Sequence, residues 1–164
     1  KRGMSENSAL VKGVNRAWDA GLVVVVAAGN NGPRTMSITT PGISRKVITV
    51  GCSDDDREVL VGGNRMVDYS GRGPTAACIC KPDLVAPGCS VVSCSSRADK
   101  YTIKSGTSMS TPIVSGAVAL LLERFPDMSN KEVNLRLRES SVDIGLPRNQ
   151  QGWGLLDVGK MLER

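Results

Sequence analysis

Between residues 8 and 20, SALVKGVNRAWDA, the apolar positions Leu10, Val11, Val14, Ala17 and Trp18 recur at helical spacing, with Gly21 placed to end the helix. LVVVVAA (22–28) follows as an unbroken β-branched run, which predicts a strand covered on both faces. A helix feeding a buried strand predicts an α/β chain with a mostly parallel sheet. KVITVG (46–51), DLVAPG (83–88) and SVVSC (90–94) supply further strands, and DKYTIK (99–104) pairs with the last of them as a hairpin. Between the first two strands, GNNGPRTMSITTPG (29–42) is turn chemistry, and the acidic run inside CSDDDREVLVGGNR (52–65) reads as a solvated turn.

The helix predicted over 108–124 has another pattern. Ile113, Val114, Ala117, Val118, Leu120, Leu121 and Leu122 cover most of its circumference, so it is expected wholly inside the protein. Pro112 is acceptable only because it falls near the first turn, where amides lack helical partners. Ser129 and Glu132 form a capping box, with Met128 and Val133 as a hydrophobic staple, and predict a helix over 129–139. GWGLLDVGKML (152–162) reads as a turn and a short last helix. No internal repeat divides the chain, and one domain, or part of one, is expected.

Composition changes this picture in a few places. The net charge of +5 comes from scattered Lys and Arg, with one Phe and two Tyr, so stacking platforms for nucleic acid are lacking. No stretch approaches the ~20 apolar residues of a membrane span. Cys52, Cys78, Cys80, Cys89 and Cys94 are odd in number and irregular in spacing, which argues against a disulfide framework. One residue between Cys78 and Cys80 is too few for a zinc pair. Reduced thiols lean the reading towards a reducing compartment. The chain begins mid-pattern, without signal peptide or initiating Met, and reads as a piece of something longer.

Two places carry candidate chemistry. Ser108, in SGTSMSTP, stands where a helix begins, close to unpaired amides and the positive end of the helix dipole. It reads equally as an N-cap, a role that Ser fills for hydrogen-bonding reasons alone. Asn30, in VVAAGNNGP, lies beyond the carboxyl end of a strand, where open α/β sheets bind ligands. Its amide suits an oxyanion, and Asn-Asn-Gly-Pro is also plain turn chemistry. The chain contains no histidine to activate a serine.

Taken in order, VVVVAAGNNGP, TTPG…KVITVG, YSGRGPT…KPDLVAPG, SGTSMSTPIVSGAVALLL and GWGLLDVGK resemble consecutive landmarks of the subtilisin-like serine proteases, and GTSMSTP is the most specific of them. It is not the G-x-S-x-G elbow of α/β-hydrolases, since Ser110 stands two after Ser108. The resemblance implies a partial subtilisin-like α/β fold, residues 1–164 forming the C-terminal portion of one catalytic domain. It implies Ser108 as nucleophile and Asn30 as oxyanion-hole amide. Ala27, Ala28 and Gly29 match one wall of the pocket for the residue before the cut, and Thr40, Pro41 and Gly42 match its far side. The family orders its triad Asp, His, Ser, so both partners are expected upstream of Lys1 and this chain alone is expected to be inactive.

The implied partner is a peptide or protein substrate, with no nucleic acid and no membrane. No metal or other cofactor is expected in this chain, calcium being left open for the full-length protein. Asp83 matches a carboxylate of a weak cation site in some relatives, but Lys81 replaces its second acid. Ile113 stands where many relatives carry a non-catalytic His, and with RGPT…KPD this is similar to a bacterial clade that includes cytoplasmic members; secretion is also found in the family. A halved domain is expected to expose apolar surface and to self-associate. Two other readings stand beside the protease: a pseudoprotease that keeps the fold as a binding module, and a nucleotide-binding α/β protein, which would want the absent G-x-x-x-x-G-K-[ST] loop.

Overall fold

In the computed structural model, which describes residues 6–96 and 100–163, helix α1 (Ala9–Asp19) is capped by Ser8, whose hydroxyl accepts from the Val11 amide at 3.3 Å. It buries Val11 and Trp18 and delivers the chain to strand β1 (Val25–Ala27). β1 pairs in parallel with β2 (Ile48–Cys52), and β2 pairs in parallel with β5 (Leu84–Ala86). The register sets Ala27 beside Val50 and Val50 beside Leu84. Beyond β5, Leu155 bridges Val85 in parallel and Val142 in antiparallel fashion. Helix α2 (Thr107–Arg124) lies on this sheet, packing Val114, Ala117, Val118 and Leu121 into one core with Ile48, Val50, Leu84 and Ala86. α3 (Asn130–Ser140) and α5 (Val158–Leu162) close the same core with Val133, Leu137 and Met161, all 0 % exposed. Each such buried side chain contributes about 1.5–3 kcal/mol.

The capping box forms as expected. Ser129 Oγ accepts from the Glu132 amide, and the Glu132 carboxylate accepts from the Ser129 N–H at 2.7 Å. Ser129 Oγ also donates to the Glu132 carboxylate at 2.6 Å, and this bond first, with that from the Ser129 amide, holds the Glu132 carboxyl below its ordinary pKa. The hairpin of β6 (Val91–Cys94) and β7 (Tyr101–Lys104) also forms, while Asp99, where the second strand was expected to begin, lies outside the described residues.

Four expectations need correction. The strand over 22–28 is shorter, and its residues are half-buried rather than covered on both faces, because Val25, Val26 and Ala27 line an open hollow; among the described residues β1 pairs with β2 alone. α2 is not wholly inside: Pro112, Ser115, Gly116, Ala119 and Leu120 face outward, since the sheet covers only one side of the helix. Pro112 is the sixth residue of α2, not part of its first turn, so the Ser108 carbonyl has no amide four residues on to accept from. The acidic run is structural: Asp55 is 3 % exposed and accepts the Ser70 amide at 2.7 Å, and burial pushes its carboxyl up against that bond and against Arg72. Two elements were not anticipated, the hairpin of β3 (Val59–Val61) and β4 (Asn64–Met66) and the short helix α4 (Arg148–Gln151).

Candidate active site

β1 ends at Ala27, and the following backbone is fixed on several sides. The Ala28 amide donates to Val50 O at 2.8 Å, and its carbonyl accepts the Thr39 amide at 2.9 Å. Gly29 turns the chain at φ +95°, where a Cβ would lie 2.3 Å from Thr39 Oγ1, so only glycine fits. That turn aims Asn30 at the start of α2.

There Thr107 makes the connection. Its amide and its hydroxyl both donate to Asn30 Oδ1, each at 3.0 Å, and its hydroxyl accepts from the Gly29 amide at 3.2 Å. With Oδ1 engaged twice, the Asn30 Nδ2 is the end of the carboxamide left to donate elsewhere. Ser108 comes next along α2 and is exposed; among the described residues its hydroxyl has no hydrogen-bond partner. The N-cap alternative for Ser108 therefore falls, because Gly106 holds that position at φ +137° and the Asn30 carboxamide, not Ser108, accepts the first amide of the helix.

Ser108 opens on a hollow of about 540 Å³ whose walls include Val26, Ala27, Pro41, Thr111 and Pro112. Of the residues matched to the pocket, Ala27 and Pro41 share this hollow with Ser108. Ala28 and Gly42 are buried, Gly29 and Thr40 are half-buried, and none of the four lines the hollow. Gly42 supports the wall closely: its carbonyl accepts Thr49 Oγ1 at 2.8 Å, and a Cβ there would come within 2.9 Å of Ala27 O. Thr107 is the residue that sequence reasoning passed over. Its place directly before Ser108 was visible, but a bond to a partner 77 residues away leaves no local pattern.

The buried ion pair that precedes β5 lies towards the other end of the parallel sheet and is occupied. Lys81, 1 % exposed, donates from Nζ to Asp83 Oδ2 at 2.5 Å and to Val47 O at 2.8 Å, and Asp83 also accepts the Thr49 amide at 2.7 Å. Burial pushes the Asp83 carboxyl up, against the pull of Lys81. A metal ion at Asp83 would meet the Lys81 ammonium, so these residues do not fit one. Among the described residues no group of three or more His, Cys, Asp or Glu is placed to hold a metal. Cys52, its thiol pushed up to about 12 by burial, stays protonated and bonds Asp54 and Tyr69. All five cysteines are unbridged. No described helix is long and apolar enough to cross a membrane.

Comparison with known proteins places the family and the fold. The sequence model of the subtilase family matches residues 1–154. Serine protease AprX of Bacillus subtilis (strain 168) is 42% identical over 145 residues, covering 80% of this chain and 33% of its own length. Subtilisin DY of Bacillus licheniformis is 35% identical over 158 residues, covering 95% of this chain and 52% of its own. The chain thus spans a third to about half of these two relatives. The halolysin-like extracellular serine protease Nep of Natrialba magadii is 34% identical over 84% of the chain, and its name lends the cytoplasmic lean no support. The solved structure of the prenylagaramide maturation protease PagA superposes with a TM-score of 0.71 over 93% of this chain and 54% of its own, at 22% identity, which fixes the fold. Motifs, fold and a family match through nearly the whole sequence agree: the chain belongs to the subtilase family, the subtilisin-like serine proteases.

Proposed function

We propose that this chain is the C-terminal, nucleophile-bearing portion of a serine endopeptidase domain. One observation carries the reading: Thr107 ties the Asn30 carboxamide to the first turn of α2, beside the exposed Ser108 hydroxyl. Ser108 Oγ attacks the scissile carbonyl, and the oxyanion that forms is held by Asn30 Nδ2 and the positive end of the α2 dipole. The hollow over Ala27 and Pro41 receives the residue before the cut. Ala28 and Gly29 back one wall, and Thr40 and Gly42 the other.

The proton of Ser108 must leave to a base, and this chain has no histidine. The base and the acid that orients it come from a segment outside these residues, and the chain alone does not cleave peptides at an enzymatic rate. The partner is a peptide or protein substrate. We assign no metal to these residues, because Lys81 supplies the positive charge at Asp83.

A fluorophosphonate probe tests the reading. In a polypeptide that also carries the upstream Asp and His, the adduct should map to Ser108 by mass spectrometry, and the 164-residue chain should stay unlabelled. A longer form that never reacts at Ser108 would refute the protease and leave a binding module on the same fold.

The open edge of β1 supports self-association of the isolated chain. A strand with unpaired amides and carbonyls on one side invites a second strand, and Leu22 and Leu120, 61% and 48% exposed, add apolar area. Sedimentation velocity should show dimers or larger species rising with concentration; a monomer at every concentration contradicts this.

A further inference from the structure

We propose that Asp54 is a positioning residue for the Ser108 site, acting through the turn at 88–90; the proposal rests on the reading of Ser108 and Asn30 given above. Asp54 follows β2 in the acidic run that the sequence presents as a solvated turn. Its Oδ1 instead accepts three donors: the Gly88 amide at 2.7 Å, the Cys89 amide at 3.1 Å and the Cys52 thiol at 3.1 Å. A carboxylate on two successive amides makes charge-assisted bonds, stronger than neutral ones.

The turn that Asp54 grips holds the lead into α2. Gly88 O accepts the Gly106 amide at 2.9 Å, and the Ser90 amide donates to Ser105 Oγ at 2.9 Å. Gly106 is the N-cap of α2, and Thr107, the next residue, binds Asn30. The route from Asp54 to the site is therefore continuous hydrogen bonding and two peptide links. Packing leaves it little slack, since a Cβ on Gly88 would lie 2.2 Å from Ser110 Oγ in the first turn of α2 and 2.9 Å from Cys52 Sγ. The turn also needs holding, because Ser90 sits at φ +52°, which a residue other than glycine keeps only when its surroundings impose it. Asp54 holds the two residues before Ser90, and Ser105 Oγ holds the Ser90 amide itself. With Asp54 removed, the 88–90 turn relaxes, and Gly106 and Thr107 lose their fixed place opposite Asn30.

Amide hydrogen exchange on the 164-residue chain tests the geometry without requiring activity. In Asp54→Ala the Gly106 and Thr107 amides should exchange at least ~10-fold faster relative to Val133 and Leu137 in α3, and Asp54→Asn, which keeps an acceptor oxygen, should recover most of the protection. Ser105→Ala cuts the link one step nearer the site and should speed the same two amides, which keeps the test usable if Asp54→Ala fails to fold. In the longer form, Asp54→Ala should slow fluorophosphonate labelling about tenfold, with recovery in Asp54→Asn. Unchanged relative exchange at Gly106 and Thr107 in the folded variants would overturn the proposal, as would undiminished labelling in an active Asp54→Ala enzyme. A wild-type longer form that is inert would sink the protease reading alone, because the exchange result still decides what Asp54 holds in place.

Discussion

Asn30→Asp should lower kcat by about 10- to 100-fold in the form of the protein that contains the base, with KM little changed. The magnitude is that of one hydrogen bond to a charged acceptor, about 1.5–3 kcal/mol, at about 1.4 kcal/mol per decade of rate. The effect falls on kcat because the donor meets full negative charge only in the transition state. Asp keeps an oxygen where Oδ1 accepts the Thr107 amide and hydroxyl, so the fold should tolerate the change. It replaces Nδ2 with an oxygen facing the developing charge, which repels it. Asn30→Leu behaves differently: it strands both Thr107 donors and should also cost about 1–3 kcal/mol of stability. Steady-state kinetics and urea unfolding on both variants separate the two roles. If Asn30→Asp kept full kcat, Asn30 would not be the oxyanion donor.

Lys81→Met should destabilise the chain by about 3–5 kcal/mol at neutral pH, the cost of removing one partner from a buried ion pair. Lys81 is 1% and Asp83 15% exposed at the side chain, so water cannot replace the ammonium. The variant leaves the Asp83 carboxylate with the Thr49 amide, and Val47 O loses the Lys81 donor. The deficit depends on pH in a definite sense. Burial already raises the Asp83 carboxyl in the folded chain, and without Lys81 it rises further. A group whose pKa is higher folded than unfolded favours the fold below its unfolded pKa, and that advantage is lost as pH rises through the folded value. The gap between variant and wild type should thus be small in acid and widen towards neutrality. Lys81→Met/Asp83→Asn should regain part of the loss. A gap of equal size in acid and at neutral pH would mean that Asp83 carries no buried charge.

What could be read from the chain divides along physical lines. α1, α3 and the three parallel strands follow from local periodicity, and the capping box at Ser129 and Glu132 fixed an end as well as a type. The β3–β4 hairpin was also legible, since Gly62–Gly63 between VLV and NRM is a two-residue turn signal that the acidic run beside it obscured. Pattern could not settle how much of α2 is covered. An apolar circumference shows what a helix can bury, and the elements around it decide what it does bury. Ser108 and Asn30 could be singled out by motif, but their meeting depends on Thr107 and, through the 88–90 turn, on Asp54. Those contacts join distant parts of the chain, and no local pattern encodes them.

The Asn30–Thr107 pair has a consequence for the order in which the molecule assembles. It joins residues 77 apart, and closing so long a loop costs chain entropy of ~4 kcal/mol that no neighbouring contact in sequence returns. Helical turns and the short hairpins can form earlier, within microseconds, while this closure waits for β1, β2 and β5 to align. A nascent or half-collapsed polypeptide therefore carries Ser108 apart from the Asn30 carboxamide, and the two come together only once the sheet beneath is complete.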